Sequence, residues 1–285
     1  MYKYVPLILF FLLLGLVACE KSSYKKISIK GSDSEVSLVL ALAEAYMDQH
    51  DDVSISISGG GSGLGIASLI NKKTDIANSS RNINEEELNV AKKLKIKPYA
   101  SVFAMDAIAI IVNSKNFMDS ITLKDLSKVY KGTFQNWREL GISTSPIHLY
   151  GRQSNSGTCI YLREEVIKGN YATSLIELNG NAQIMQAVIT DLNGIGYISA
   201  GFLKGLSAKE RAKIKVLAIK KNESTKACNC IEYDDVISGV YPLTRPLYQF
   251  TDNLPKGEIK AFIAFEKSTL AEDIIQKNGF YPVKK

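Results

Sequence analysis

The sequence predicts an α/β protein with largely parallel sheets. Short, β-branched apolar segments alternate along the chain with segments of helical periodicity. The turns that join strand to helix are rich in glycine, serine and asparagine, and AMDAIAIIVN is a nearly continuous apolar run suited to a strand buried on both faces. At 285 residues and 46% hydrophobic content, the chain has ample material for one large domain or two lobes.

The elements follow in order. KISIKGS reads as a strand leading into a loop, and VSLVLALAEAYMDQH as an amphipathic helix. VSISISGGGSG is a strand running into a glycine-rich turn, with a helix from Leu64 to Lys72. TDIANSS repeats the strand-to-loop pattern, and Asn84 with Glu85 to Glu87 opens a third helix by capping. After AMDAIAIIVN, TLKDLSKVY carries a Thr-x-x-Asp cap on a short helix. HLYGRQSNSGT is a strand and loop ahead of the helix CIYLREEVI. NAQIMQAVIT is helical, GIGYIS, KVLAI and TRPLYQFT are strands, and the helices KGEIKAFIAFEKS and TLAEDIIQKNG finish the chain.

The first nineteen residues stand apart. Lys3 precedes an apolar run from Val5 to Val17, short for a membrane span and ending in small residues, as an export signal does. Leu16-Val17-Ala18-Cys19 resembles a bacterial lipobox. Residues 1–18 are then a lipoprotein signal peptide, Cys19 the lipidated first residue, and 19–26 a polar tether outside the cytoplasmic membrane.

Thirty-five basic residues against 29 acidic ones give a mildly positive chain. The lysines are scattered over expected helix surfaces, which indicates no nucleic-acid footprint. Beyond Cys19, three cysteines remain. Cys228 and Cys230 are too close for an unstrained disulfide and lack zinc-site histidines, and Cys159 reads as a buried free thiol. No metal or cofactor is expected.

In open α/β sheets ligands gather where strands end and helices begin. Four hydroxyl-rich loops hold that position: Gly31 to Ser34, Gly61 to Gly63, Asn78 to Arg81, and Ser156 to Thr158. A serine hydrolase would need a base, yet the chain has only His50, in the polar DQHDD, and His148, in a strand; neither Gly-x-Ser-x-Gly nor Ser-x-x-Lys surrounds Ser62 or Ser156. GGGSGLG matches neither nucleotide-binding glycine pattern. What remains is anion binding by backbone N–H groups, helix N-termini and neutral hydroxyls. Arg152 supplies a planar, permanently charged fork suited to a tetrahedral oxyanion, and Arg81 is a candidate second cation.

These motifs carry a resemblance. GSDS, GGGSGLG, DIANSSR, GRQSNSGT, GIGYIS and YPLTRPLY fall in the order seen in the PstS-like family of periplasmic phosphate-binding proteins, over nearly the whole chain after Cys19. The resemblance implies a type II periplasmic-binding-protein fold whose two lobes close over inorganic phosphate. It implies a monomer that delivers the ion to an ABC permease and is not an enzyme. A hinge would run through AIAIIVN and TRPLYQFT, with 27–112 and 243–285 forming one lobe and 113–242 the other. By motif, Ser34, the Glu35 backbone, Ser62 and Ser80 would hold the ion from the first lobe, and Arg152, Ser156, Gly157 and Thr158 from the second.

The familiar branch of the family has an aspartate where this chain has Ser80, and that aspartate accepts the proton that phosphate carries and sulfate lacks. Asp106 is therefore either a substitute acceptor or a strand-entry residue. The family's acidic neighbour of the arginine is missing too, position 154 being serine. Sulfate or molybdate is the alternative ligand, and a surface hydrolase or adhesin the alternative class.

Overall fold

Strands β1 (Lys25–Gly31), β2 (Val53–Ser58) and β3 (Ile76–Ser79) lie side by side in parallel in the computed structural model, which describes residues 24–283. The expected signal peptide 1–18, Cys19 and the start of the expected tether lie outside the described residues. Each strand feeds a helix: α1 (Val36–Met47), α2 (Ser62–Ile70) and α3 (Glu85–Lys93). Asn84 and Glu87 form a reciprocal capping box at α3.

β4 (Pro98–Asn113) extends well beyond the expected apolar run to 16 residues. β5 (Ser120–Thr122) leads into α4 (Leu123–Tyr130), which Thr122 caps by accepting the Asp125 N–H. β6 (His148–Arg152) precedes α5 (Gly157–Tyr161), which widens into a π-helical turn over Leu162–Ile167. Then come β7 (Ile176–Leu178), α6 (Asn181–Thr190), β8 (Gly194–Ser199), α7 (Ala200–Lys204) and α8 (Ala208–Arg211). The expected strand KVLAI divides at buried Leu217. β9 (Ile214–Val216) pairs with β4, whereas β10 (Ala218–Lys220) pairs with β5 in a separate two-stranded sheet. The chain closes with α9 (Tyr233–Ile237), β11 (Thr244–Asp252), α10 (Gly257–Phe265), α11 (Thr269–Lys277) and β12 (Tyr281–Pro282).

The main sheet runs β2-β1-β3-β11-β4-β8-β6-β7, with β9 and β12 also on β4. β1–β3 pair in parallel, as do β6, β7 and β8; the antiparallel pairs all involve β4 or β11. Three hydrophobic clusters flank the sheet among the described residues, the smallest holding Ile66, Leu69, Ile70, Ala77 and Phe250. The other two are larger. One packs Ile27, Ile29, Leu38, Leu42, Phe103, Leu247, Phe262 and Phe280. The other packs Ile108 to Val112 with Trp137, Leu162, Ile195, Tyr197 and Leu243. We call them the first and second cores. The four hydroxyl-rich loops emerge from both.

Candidate functional site

The loop after β1 carries Ser32, Asp33 and Ser34 to the start of α1, the loop after β2 carries Ser62, and the loop after β3 carries Ser80. Gly61, at φ 94°, makes the turn into α2 in a conformation that only glycine adopts without strain. The three loops meet through their hydroxyls: Ser32 Oγ donates to Ser80 Oγ at 3.1 Å, Ser62 and Ser80 share a bond at 3.3 Å, and the Ser80 N–H donates to Ser62 Oγ at 3.1 Å.

The second core brings its loop to the same point. Ser34 Oγ and Thr158 Oγ1 share a hydrogen bond at 3.2 Å, although 124 residues separate them. Gly157 sits so close to Ser62 and Ser80 that an added Cβ would collide with both hydroxyls. Ser156, at the N-cap of α5, is buried beside it. Ser34, Ser62, Ser80, Ser156, Gly157 and Thr158 are thus placed together.

Arg152, only 1% exposed, ends β6. Its backbone N–H donates to Tyr197 Oη at 2.9 Å, which fixes where the side chain starts. Nε reaches Gln153 Oε1 at 3.2 Å and Nη2 reaches Asp33 Oδ2 at 2.5 Å. Nη1 is buried and has no hydrogen-bond partner. Arg81 Nε is likewise buried without a partner, so each of these two arginines keeps a guanidinium nitrogen that the protein's own acceptors leave unsatisfied. Burial draws the Arg152 pKa down, and the Asp33 carboxylate opposes that shift.

Sequence reasoning missed Arg245. It lies on β11 at 0% exposure, its Nη2 donating to Asp106 Oδ2 at 2.9 Å, to Thr158 Oγ1 at 2.9 Å and to Ser34 Oγ at 3.3 Å. Nη1 donates to the Ser80 carbonyl at 3.4 Å. One side chain therefore touches three of the four loops. A signal for it existed: Arg245 alternates with buried Leu243 and Leu247, and an arginine on the inward face of a strand must be paired.

Three expected participants stand differently from what their residue types suggest. Arg81 is held by Glu87 through Nη1 at 2.8 Å and Nη2 at 2.6 Å, within its own loop and helix. Asp106 spends Oδ1 on the Ser199 hydroxyl at 2.7 Å and Oδ2 on Arg245. Burial pushes its carboxyl above the ordinary range, against the pull of Arg245 and Ser199. The Glu35 N–H donates to the Ser32 carbonyl at 3.2 Å, and its side chain is fully buried, a site where desolvation raises the carboxyl pKa well above normal.

The formal charges of Arg152 and Asp33 cancel, as do those of Arg245 and Asp106, so these pairs bring donors to the cluster without net charge. His148 pairs with Asp191 at 2.7 Å and His50 stacks on Tyr46 at 4.0 Å; neither hydrogen-bonds a loop serine. Cys159, Cys228 and Cys230 are free and buried, and no cluster of metal-ligating side chains occurs among the described residues. Open hollows of about 730 and 680 Å³, beside Asn253 and beside Tyr233, lie outside the four loops.

A family model described as a PBP superfamily domain matches residues 17–268. The phosphate-binding protein PstS of Pseudomonas aeruginosa is 29% identical over 275 residues, covering 90% of this chain and 83% of that one. PstS of Borreliella burgdorferi is 26% identical over 293 residues and covers 99% of each. Among solved structures, a phosphate ABC transporter substrate-binding protein with bound phosphate from Clostridium perfringens superposes with a TM-score of 0.78 at 26% identity, covering 91% of this chain and 100% of that one. An ABC-type phosphate transport receptor from Vibrio cholerae gives 0.71 at 26% identity, with coverage of 91% and 100%.

Proposed function

We propose that this chain, which belongs to the PBP superfamily, binds inorganic phosphate between its two cores and delivers it to an ABC importer, without chemistry on the ion. The observation that carries the reading is the meeting of hydroxyls from four loops, with Arg245 on Ser34 and Thr158 and a buried, unpartnered Nη1 on Arg152, whose Nη2 reaches Asp33 beside Ser34. A buried oxyanion must exchange every water for a protein donor, and this cluster holds donors of that kind at the required density. The hydroxyl pairs Ser34 with Thr158 and Ser62 with Ser80 open to the ion, trading one another for phosphate oxygens.

Two lobes, 27–112 with 243–285 and 113–242, hinge on β4 and β11 and close over the ligand, as periplasmic binding proteins do. Arg152, Ser156, Gly157 and Thr158 grip from one lobe; Ser34, the Glu35 backbone, Ser62 and Ser80 grip from the other. Arg245 joins them at the centre. Asp106 acts by aiming Arg245, and Arg81 acts by bracing the Ser80 loop against α3. Each hydroxyl can accept as well as donate, so Ser80 or Ser62 accepts a hydrogen bond from the phosphate's own hydroxyl without a carboxylate. The protein works outside the cytoplasmic membrane, as a monomer tethered by lipid on Cys19.

Titrating the purified protein with phosphate, sulfate and molybdate tests this. Phosphate binding at least tenfold tighter than sulfate is expected; equal affinity for the two ions overturns phosphate as the ligand.

A further inference from the structure

Asp33 and Arg152 belong to different cores and meet across the seam between them. Asp33 stands in the loop after β1, Arg152 at the end of β6, 119 residues away. Asp33 Oδ1 accepts the Gly60 N–H at 2.7 Å, which ties the carboxylate to the neighbouring loop after β2, while Oδ2 meets Arg152 Nη2. The arginine side chain is 1% exposed and the aspartate 25% exposed. Two further bonds cross the same seam: Asn155 Nδ2 donates to the Gly60 carbonyl at 3.0 Å, and the Gly63 N–H donates to the Asn155 carbonyl at 3.0 Å. Glycines permit this approach, since a Cβ at Gly61 or Gly63 would stand only 3.1 or 3.3 Å from the Asn155 carbonyl oxygen.

A guanidinium taken out of water without a counter-ion is strongly unfavourable. With the cores apart, water solvates both Arg152 and Asp33; with the cores together, Arg152 is buried and Asp33 is its carboxylate. The pair also divides the guanidinium: Nε goes to Gln153, Nη2 to Asp33, and Nη1 alone remains for a ligand. We propose that Asp33 is a positioning residue and closing clasp, holding Arg152 from the opposite core so that Nη1 faces the bound phosphate and the ion leaves slowly. The inference rests on the phosphate reading above. It also supplies an acidic partner for the arginine where the chain has Ser154.

A clasp that forms after encounter acts on release more than on capture. In stopped-flow measurements, Asp33→Asn releases phosphate about tenfold faster than wild type while association stays within about twofold. Asn155→Ala, which removes only one neutral bond across the seam, speeds release less, and Asp33→Glu restores part of the loss. A release rate for Asp33→Asn equal to wild type overturns the clasp, as does a loss of affinity carried wholly by slower association. A second arm measures the distance between spin labels at surface positions 92 and 209, with and without phosphate. Asp33→Asn lowers the short-distance population relative to wild type, and an unchanged distribution again overturns the clasp. Wild-type protein that binds no phosphate strikes the ligand assignment instead, and the label distances still decide the clasp.

Discussion

Arg245 and Asp106 are partners twice over: the register of β4 and β11 sets them opposite one another, and their side chains form an ion pair of 2.9 Å. Both are buried, and Ser199 holds the second carboxylate oxygen. The pair anchors Arg245 where β4 and β11 run side by side, and the same Nη2 also reaches Ser34 and Thr158 from different loops.

Asp106→Asn leaves Arg245 as a buried cation without its counter-ion, a change that costs about 3–5 kcal/mol where such pairs are broken. A bound anion restores part of that charge balance. The melting temperature without ligand therefore falls, and the rise on adding phosphate is larger in the variant than in wild type. Calorimetry with and without phosphate reads both; an equal rise in the two proteins contradicts the role assigned to Asp106.

Gly157→Ala places a methyl against the hydroxyls of Ser62 and Ser80. The collision is across the seam, so ligand-free stability changes little while closure is obstructed. Phosphate binding weakens by about ten- to a hundredfold, matching an overpacking cost of about 1.4–3 kcal/mol. Wild-type affinity in this variant would show that the two loops do not close upon each other.

How much of this was legible beforehand follows from where each partner lies in the chain. Ser34, Ser62, Ser80 and the Arg152 loop announce themselves through local grammar, each a hydroxyl at a strand end before a helix. Arg245 sits inside a strand, and its meaning depends on Asp106, 139 residues away. Asp33 carries no local signal, because its relation to Arg152 exists only when the cores meet. The division of KVLAI at Leu217 has the same origin: β10 finds its partner in Ser120–Thr122, which the local pattern does not reveal. Arg81 shows the converse, a cation whose two terminal nitrogens are claimed by nearby Glu87, leaving Nε as its unpartnered donor.

Glu266 makes the pH dependence of stability testable. It is buried, it accepts from Gln249 Nε2 at 2.9 Å, and desolvation pushes its pKa up to about 8. The folded protein therefore keeps a proton that the unfolded chain releases near pH 4.5, and stability falls as pH rises from there to about 8, by at most about 1.4 kcal/mol per pH unit from this group. Glu35, raised in the same direction, adds a contribution of like sign. Glu266→Gln removes its own share, so denaturation midpoints of the variant decline less steeply between pH 5 and pH 8. Parallel profiles for the two proteins would contradict a neutral Glu266 in the folded state.

Isothermal titration of Arg152→Ala with phosphate, beside wild type, tests Arg152 Nη1 as a ligand donor most directly. Losing a buried, charge-assisted contact of this kind costs about 2–5 kcal/mol, so affinity is predicted to fall by about thirtyfold to several thousandfold. Wild-type affinity in Arg152→Ala would contradict the site.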